Sequence, residues 1–304
     1  MTTTGTTDFN LQFNEIAEEA YERCGVEMRT GYQLRTARRS LNLLTIEWAN
    51  RGINLWTIEQ GEIPLNTGQL TYALPLDTID LLDHVVRQGT GQNQIDINIT
   101  RISETTYSQI PNKYAQGRPI QVWIDRQSGN TNAVASTVLA DTVSATATTI
   151  TVASTANMRS AGYIKIGAEI INYTNIVDNV LQNCVRGQAN TAAATHAIGD
   201  SVYQTYVPNL NVWPTPNAGG GYTFVYWRMR RIQDAGAGTR TQDIPFRLIP
   251  PMISGLAYYL SMKTPEAMAR TQELKAVYEE QWAWASSEDR EKASLRLAPR
   301  QMFY

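Results

Sequence analysis

The sequence predicts an α+β fold: a helical bundle formed by N- and C-terminal helices with a small antiparallel β part, an inserted all-β domain and an extended C-terminal tail. Three observations carry the prediction. Helical periodicity occurs near the two ends of the chain, while the segments next to it alternate with period two and are punctuated by turn residues. Residues 132–206 are rich in Thr, Ala, Val, Ile and Gly, poor in Lys, Arg and Glu, and have no helical period. Neither terminal pair of helices buries its apolar stripe alone, so the two pairs are expected to pack together.

In NEIAEEAYERCG, Ile16, Ala20 and Cys24 recur at helical spacing, Glu15, Glu18, Glu19 and Glu22 make the other side acidic, and Gly25 supplies the left-handed stop. A second helix follows in GYQLRTARRSLNLLTIEWANRG, with Thr30 as N-cap, an apolar stripe of Leu34, Ala37, Leu41, Leu44 and Trp48, and Gly52 as C-cap. NLWTIEQGEIPL and QLTYALPLD read as short strands around an Asn66-Thr67-Gly68 turn, and IQVWIDR at 120–126 as a half-buried strand. Within 132–206 the strand candidates are ATTITVA, YIKIGAEIINYTNIV and SVYQTYV. Beyond it, YTFVYWRMRRI places Phe224, Tyr226 and Arg228 on one strand face and Val225, Trp227 and Met229 on the other. Gly219, Gly220 and Gly221 precede a strand and no Gly-Lys-Ser/Thr follows, so they form a hairpin turn and no phosphate loop. Asp243 and Pro245 open a helix ending near Lys263. Thr264-Pro265-Glu266 starts the last one, which carries Leu274, Val277, Tyr278, Gln281, Trp282 and Ala285 to about Asp289.

The 304 residues allow a sizeable core without staples, and two cysteines far apart in the chain give no metal or redox spacing. A net charge of −2 excludes a strongly basic nucleic-acid binder, while seven tryptophans and fifteen tyrosines favour protein contacts. No secretion signal and no membrane span are expected, because MTTTGTTDFN lacks a basic and an apolar region and Leu248 to Leu260 is broken by Pro250 and Pro251. The one stretch that looks like an active site is NCVRGQANTAAATHAIGD, where Cys184, His196 and Asp200 invite a thiol-hydrolase reading. No helix start stands near the cysteine to stabilise a thiolate, so Cys184 reads as a small core residue and His196 as a loop residue held by local hydrogen bonds. Glu169 is the odd acid, inside a strand, and is expected to bond to backbone or to an arginine. The RMRR run at 228–231 is expected to pair with acidic helices, of its own or a neighbouring subunit, ahead of phosphate. No catalytic, cofactor or metal site is assigned.

The runs EIAEEAYERCG, RRSLNLLTIEWANRGINLWTIEQG and LTYALPLDTIDLLDHVV, then WIDR, VWPTP with its aromatic strand, LAYYLSMK and AVYEEQWAWA, resemble in order the head-to-tail adaptor proteins of short-tailed bacteriophages. The resemblance covers about three quarters of the chain and divides it into an adaptor core at 1–131 and 207–289, an inserted all-β module at 132–206 and a portal-docking tail at 290–304. The insert itself resembles a small β module of phage virion proteins, with an Ile-Gly-x-Glu strand and a later Arg-Gly…Thr…His…Gly-Asp segment. What the family implies is a dodecameric homo-oligomeric ring in the virion, made in the host cytoplasm, which joins the portal protein to the tail nozzle and tail fibres. DNA would pass through its channel without specific binding. It also implies that Leu295, Leu297, Met302, Phe303 and Tyr304 anchor the tail on the portal, with Arg296 and Arg300 as polar clamps. The alternative is a virion-associated peptidoglycan hydrolase using a carboxylate pair, although no pair of acids is marked out.

Overall fold

A computed structural model describes residues 5, 11–52, 55–127, 129–130, 136–217, 221–236 and 238–289. They form two compact units, one from the segments Met1–Ile58 and Arg231–Tyr304, the other from Glu59–Arg230.

In the first unit, α1 (Phe13–Cys24) turns its buried stripe of Phe13, Ile16, Ala17, Ala20, Tyr21 and Cys24 inward and stops at Gly25, whose φ of 78° is the left-handed conformation that favours glycine. α2 (Gly31–Asn50) starts with a reciprocal capping box between Thr30 and Gln33, and its C-cap is Arg51, one residue before the expected Gly52. The short α3 (Glu104–Ser108) belongs to the second unit. α4 (Ile249–Ser261) opens with Pro250 and Pro251 in its first turn and is buried along nearly its whole length. A 3₁₀ segment, Pro265–Arg270, occupies the place where the last helix was expected to begin, and α5 (Thr271–Glu288) follows it. α1, α2 and α5 each pack on α4, and their core includes Leu41, Leu44, Trp48, Leu256, Tyr278 and Trp282. Trp48 Nε1 donates to Tyr278 Oη across 2.9 Å, which satisfies a buried indole. Of the residues that the last helix carries, Leu274, Tyr278, Trp282 and Ala285 are buried and Val277 is exposed.

The second unit is built from sheet. Strand Tyr222–Arg230 lies between Ile58–Pro64 and Thr78–Gln88, and Ile95–Asn98 completes a four-stranded sheet. A second four-stranded sheet runs Thr71–Ala73, Asn209–Trp213, Gln121–Asp125, Thr100–Arg101, and its inward residues Leu210, Val212, Val122 and Ile124 share a core with Phe224 and Tyr226. Residues 136–206 hold most of a five-stranded sheet in the order Glu169–Tyr173, Gly162–Ile166, Ser201–Tyr206, then Gly129–Asn130, with Ser136–Val138 also on Ser201–Tyr206. A three-stranded sheet of Ile150–Thr151, Val180–Gln182 and Asn175–Val177 lies beside it, and Ile150, Ile164, Ile166, Tyr173, Leu181 and Val202 are among the core residues they share.

The expected fold class is therefore corrected. Among the described residues the molecule is mixed and sheet-rich, with five sheets, and a helical bundle bearing a small β part does not describe it. The cause is long-range pairing. Thr78–Gln88, whose sequence shows no clean alternation, pairs over its length with Tyr222–Arg230, and Asn209–Trp213 recruits strands from 71–73 and 121–125. Gly219 and Gly220 lie outside the described residues; Gly221 has a φ of 52°, as a turn requires.

Candidate functional site

The stretch that invited a Cys/His/Asp reading is built around Glu169, the first residue of strand Glu169–Tyr173. Its side chain is buried, and five donors converge on it. Arg186 grips both oxygens, with Nε 2.9 Å from Oε1 and Nη2 2.7 Å from Oε2. His196 Nε2 lies 2.7 Å from Oε2, and the amides of Gly187 and Ala194 donate at 3.1 and 3.2 Å. Burial by itself raises the pKa of this carboxyl, but the arginine, the histidine and the two amides outweigh it and hold the group at about 2. Arg186 is satisfied in turn by the carbonyls of Ala194 and Ser144. Gly187 fits because its φ of 60° and its closeness to the Thr191 carbonyl leave no room for a Cβ. His196 also exchanges both backbone hydrogen bonds with Val143, at 2.9 Å each.

This geometry excludes the triad. His196 gives Nε2 to Glu169, and Nδ1 lies 4.0 Å from Asp200, which accepts from the amide of Ala197. Cys184 is buried in the module core, its Sγ 3.5 Å from the Leu181 carbonyl, and burial pushes its thiol up to about 11 although Arg186 pulls the other way. The thiol is held protonated at neutral pH and the ring is turned to a carboxylate, so the cluster ties the 186–196 loop to strand Glu169–Tyr173. Cys184 has the expected place. The expectation for His196 is corrected, since its ring partner stands 27 residues away in the chain and the ring is buried.

The arginine run is also absorbed by the fold. Arg228 Nη1 lies 2.6 Å from Asp77 Oδ1 and 3.1 Å from Thr78 Oγ1, Arg228 Nη2 lies 2.7 Å from Glu59 Oε2, and Arg230 Nε lies 2.6 Å from Glu59 Oε1. The carboxylates that meet Arg228, Glu59 and Asp77, sit on strand Ile58–Pro64 and on the turn before Thr78 and not on a helix. Arg228 is buried by this pairing and offers no free charge to phosphate.

Asp96, Glu169 and Glu279 are each held below the ordinary carboxylate value. Hydrogen bonding to Arg87 does this for Asp96 and to Arg51 for Glu279, while Glu169 is held down by its own partners. A glycosidase acid needs the opposite shift. No group of three His, Cys, Asp or Glu among the described residues could hold a metal ion, and no described helix is long and apolar enough to cross a membrane. His84 stands apart. It is 9% exposed, stacks on Phe224 at 5.8 Å, and neither ring nitrogen has a hydrogen-bond partner. Burial lowers its pKa below the ordinary 6.5.

Comparison with protein-family models and with curated proteins finds no match to this chain. The expected portal-docking residues, Leu295, Arg296, Leu297, Arg300, Met302, Phe303 and Tyr304, lie outside the described residues.

Glu169 has the kind of partners the sequence led us to expect, an arginine and backbone amides, whereas its bond to His196, on a different element, was not expected. The available signal was an acid alternating into the hydrophobic side of a strand, which requires a buried cation to accompany it.

Proposed function

We propose that this chain is a structural head-to-tail adaptor of a short-tailed phage virion, a ring protein that joins the portal to the tail nozzle and fibres, continues the DNA channel and has no reaction of its own. One observation carries the reading beside the order of the resembling motifs. The principal polar clusters are closed on themselves, while large apolar side chains stand open on the helices. Glu169 and Arg228 spend their donors and acceptors inside the fold. Tyr32, Leu43, Ile46 and Trp284 are at least half exposed. A protein that works by assembly needs apolar contact area on its surface. The mild net charge of −2 suits a channel wall that lets DNA pass, because each neutralised phosphate would add grip.

Mass photometry of the chain with and without the portal protein tests the proposal. A portal-bound dodecamer is expected, and removal of residues 290–304 is expected to abolish it while leaving the chain folded. Absence of any portal complex with the full chain overturns the reading.

A further inference from the structure

Two exposed helix faces of the first unit match each other in chemistry. On α2 the residues opposite the buried stripe fall at helical spacing as Tyr32, Arg35, Arg39, Leu43 and Ile46, all exposed, so this face is apolar and basic. On α5 the outward line is Glu273, Val277, Glu280 and Trp284, so this face is apolar and acidic. No ion pair among the described residues involves Arg35, Arg39 or Glu280, and Glu273 is met only by Arg270 at 3.7 Å in an exposed pair of little weight. Trp284, at 64% exposure, is the largest side chain on either face, and Leu43 and Ile46, at 51% and 58%, are aliphatic groups one turn apart that could receive an indole. α2 and α5 both pack their buried stripes on α4, so each outward face points away from that helix.

We infer that α5 of one copy docks on α2 of a second copy, Trp284 against Leu43 and Ile46 and Glu273 and Glu280 against Arg35 and Arg39. The contact is heterologous, because two different surfaces meet. Each pair therefore keeps one open face of each kind, α2 on one copy and α5 on the other, and repetition gives a closed ring or an open filament. The inference deepens the ring reading above and rests on it for the setting. The surfaces themselves follow from the charge and exposure of the two helices.

Two blocked chains test it. Ile46→Glu places an acid on the basic face, and Trp284→Glu removes the anchor from the acidic face. Both positions are exposed, and circular dichroism melts check that each chain stays folded. In sedimentation velocity without portal, the wild-type chain is expected to self-associate, and each blocked chain is expected to do so roughly thirtyfold more weakly. Mixing the two blocked chains is expected to give a 1:1 pair that grows no further, since one intact α5 meets one intact α2. Arg39→Glu and Glu280→Lys form a second set, each weakening association alone and restoring it when combined in one chain. A wild type that stays monomeric, blocked chains that assemble like wild type, or a mixture that does not pair overturns the inference. So does association that depends only on residues 290–304. Portal binding by chains that fail the pairing test leaves the adaptor reading standing, whereas pairing without portal binding removes that reading and keeps the surfaces.

Discussion

Replacing Glu169 by Gln keeps the shape of the side chain but removes the charge on which Arg186, His196 and two amides converge. The glutamine can accept on one oxygen only, and its NH₂ then faces donors, so Arg186 is left buried with half of its bidentate partner gone. The magnitude follows by two routes. The carboxyl drops from an ordinary 4.5 to about 2 on folding, which is worth roughly 3 kcal/mol at neutral pH. Removing one member of a buried ion pair costs about 3–5 kcal/mol by an independent measure. Because the folded value lies below the unfolded one, the contribution is complete above about 4.5 and disappears as the pH falls toward 2. Amide hydrogen exchange of the full chain reads the effect where it acts. Amides of 164–173 and 194–205 that exchange by unfolding of the module are expected to exchange roughly a hundredfold faster in Glu169→Gln at pH 7, with α4 and α5 unchanged. The difference from wild type is expected to shrink as the pH approaches 2. Equal protection in the two proteins at pH 7, or a difference that persists undiminished at low pH, refutes the account of Glu169 as a buried charge clasp.

His84 makes the opposite prediction. Both its ring nitrogens are buried without partners, so His84→Phe is expected to raise stability by about 1 kcal/mol at pH 7, read as a higher denaturant midpoint. Its pKa is lower in the fold than when unfolded, so wild-type stability is expected to fall as the pH drops below about 6.5, and the variant to lose that part of the fall; equal slopes for both proteins would contradict this. The thiols give a third test. Burial pushes Cys24 and Cys184 up to about 11, so neither is expected to react with an aromatic disulfide reagent at pH 8 until denaturant exposes both. One fast-reacting thiol in the folded protein would reopen the nucleophile reading of Cys184.

Local chemistry was legible in the sequence and long-range pairing was not. Gly25 ends α1 and Thr30 caps α2 because such signals act within one helical turn. The start of the last helix was misplaced. Thr264-Pro265 is a valid opening signal, but the chain spends it on a 3₁₀ segment and enters α5 only at Thr271. Thr78–Gln88 escaped notice because TIDLLDHVVRQ does not alternate cleanly. Leu82 faces solvent, while Val85 and Val86 are both buried, and the ladder with Tyr222–Arg230 carries register shifts at Trp227/Arg228 and Met229/Arg230 that upset a strict period of two. With that strand unseen, the β part looked small. The same limit hid which residues would meet Glu169, since Arg186 and His196 stand 17 and 27 residues from it in the chain.

The placement of charge separates the parts of this molecule that hold it together from the parts it can offer to others. Two buried charges are surrounded by partners: Glu169 has five donors, and Arg228 has two carboxylates and a hydroxyl. Groups committed in this way have no capacity left for a substrate, since a new partner would first have to displace an existing one and leave it unsatisfied. The arginines of α2 and the outward acids of α5 are placed in the reverse manner, on exposed faces beside apolar side chains. Desolvating them against opposite charge, with Trp284 and Ile46 excluding water, would make those weak surface charges orienting contacts.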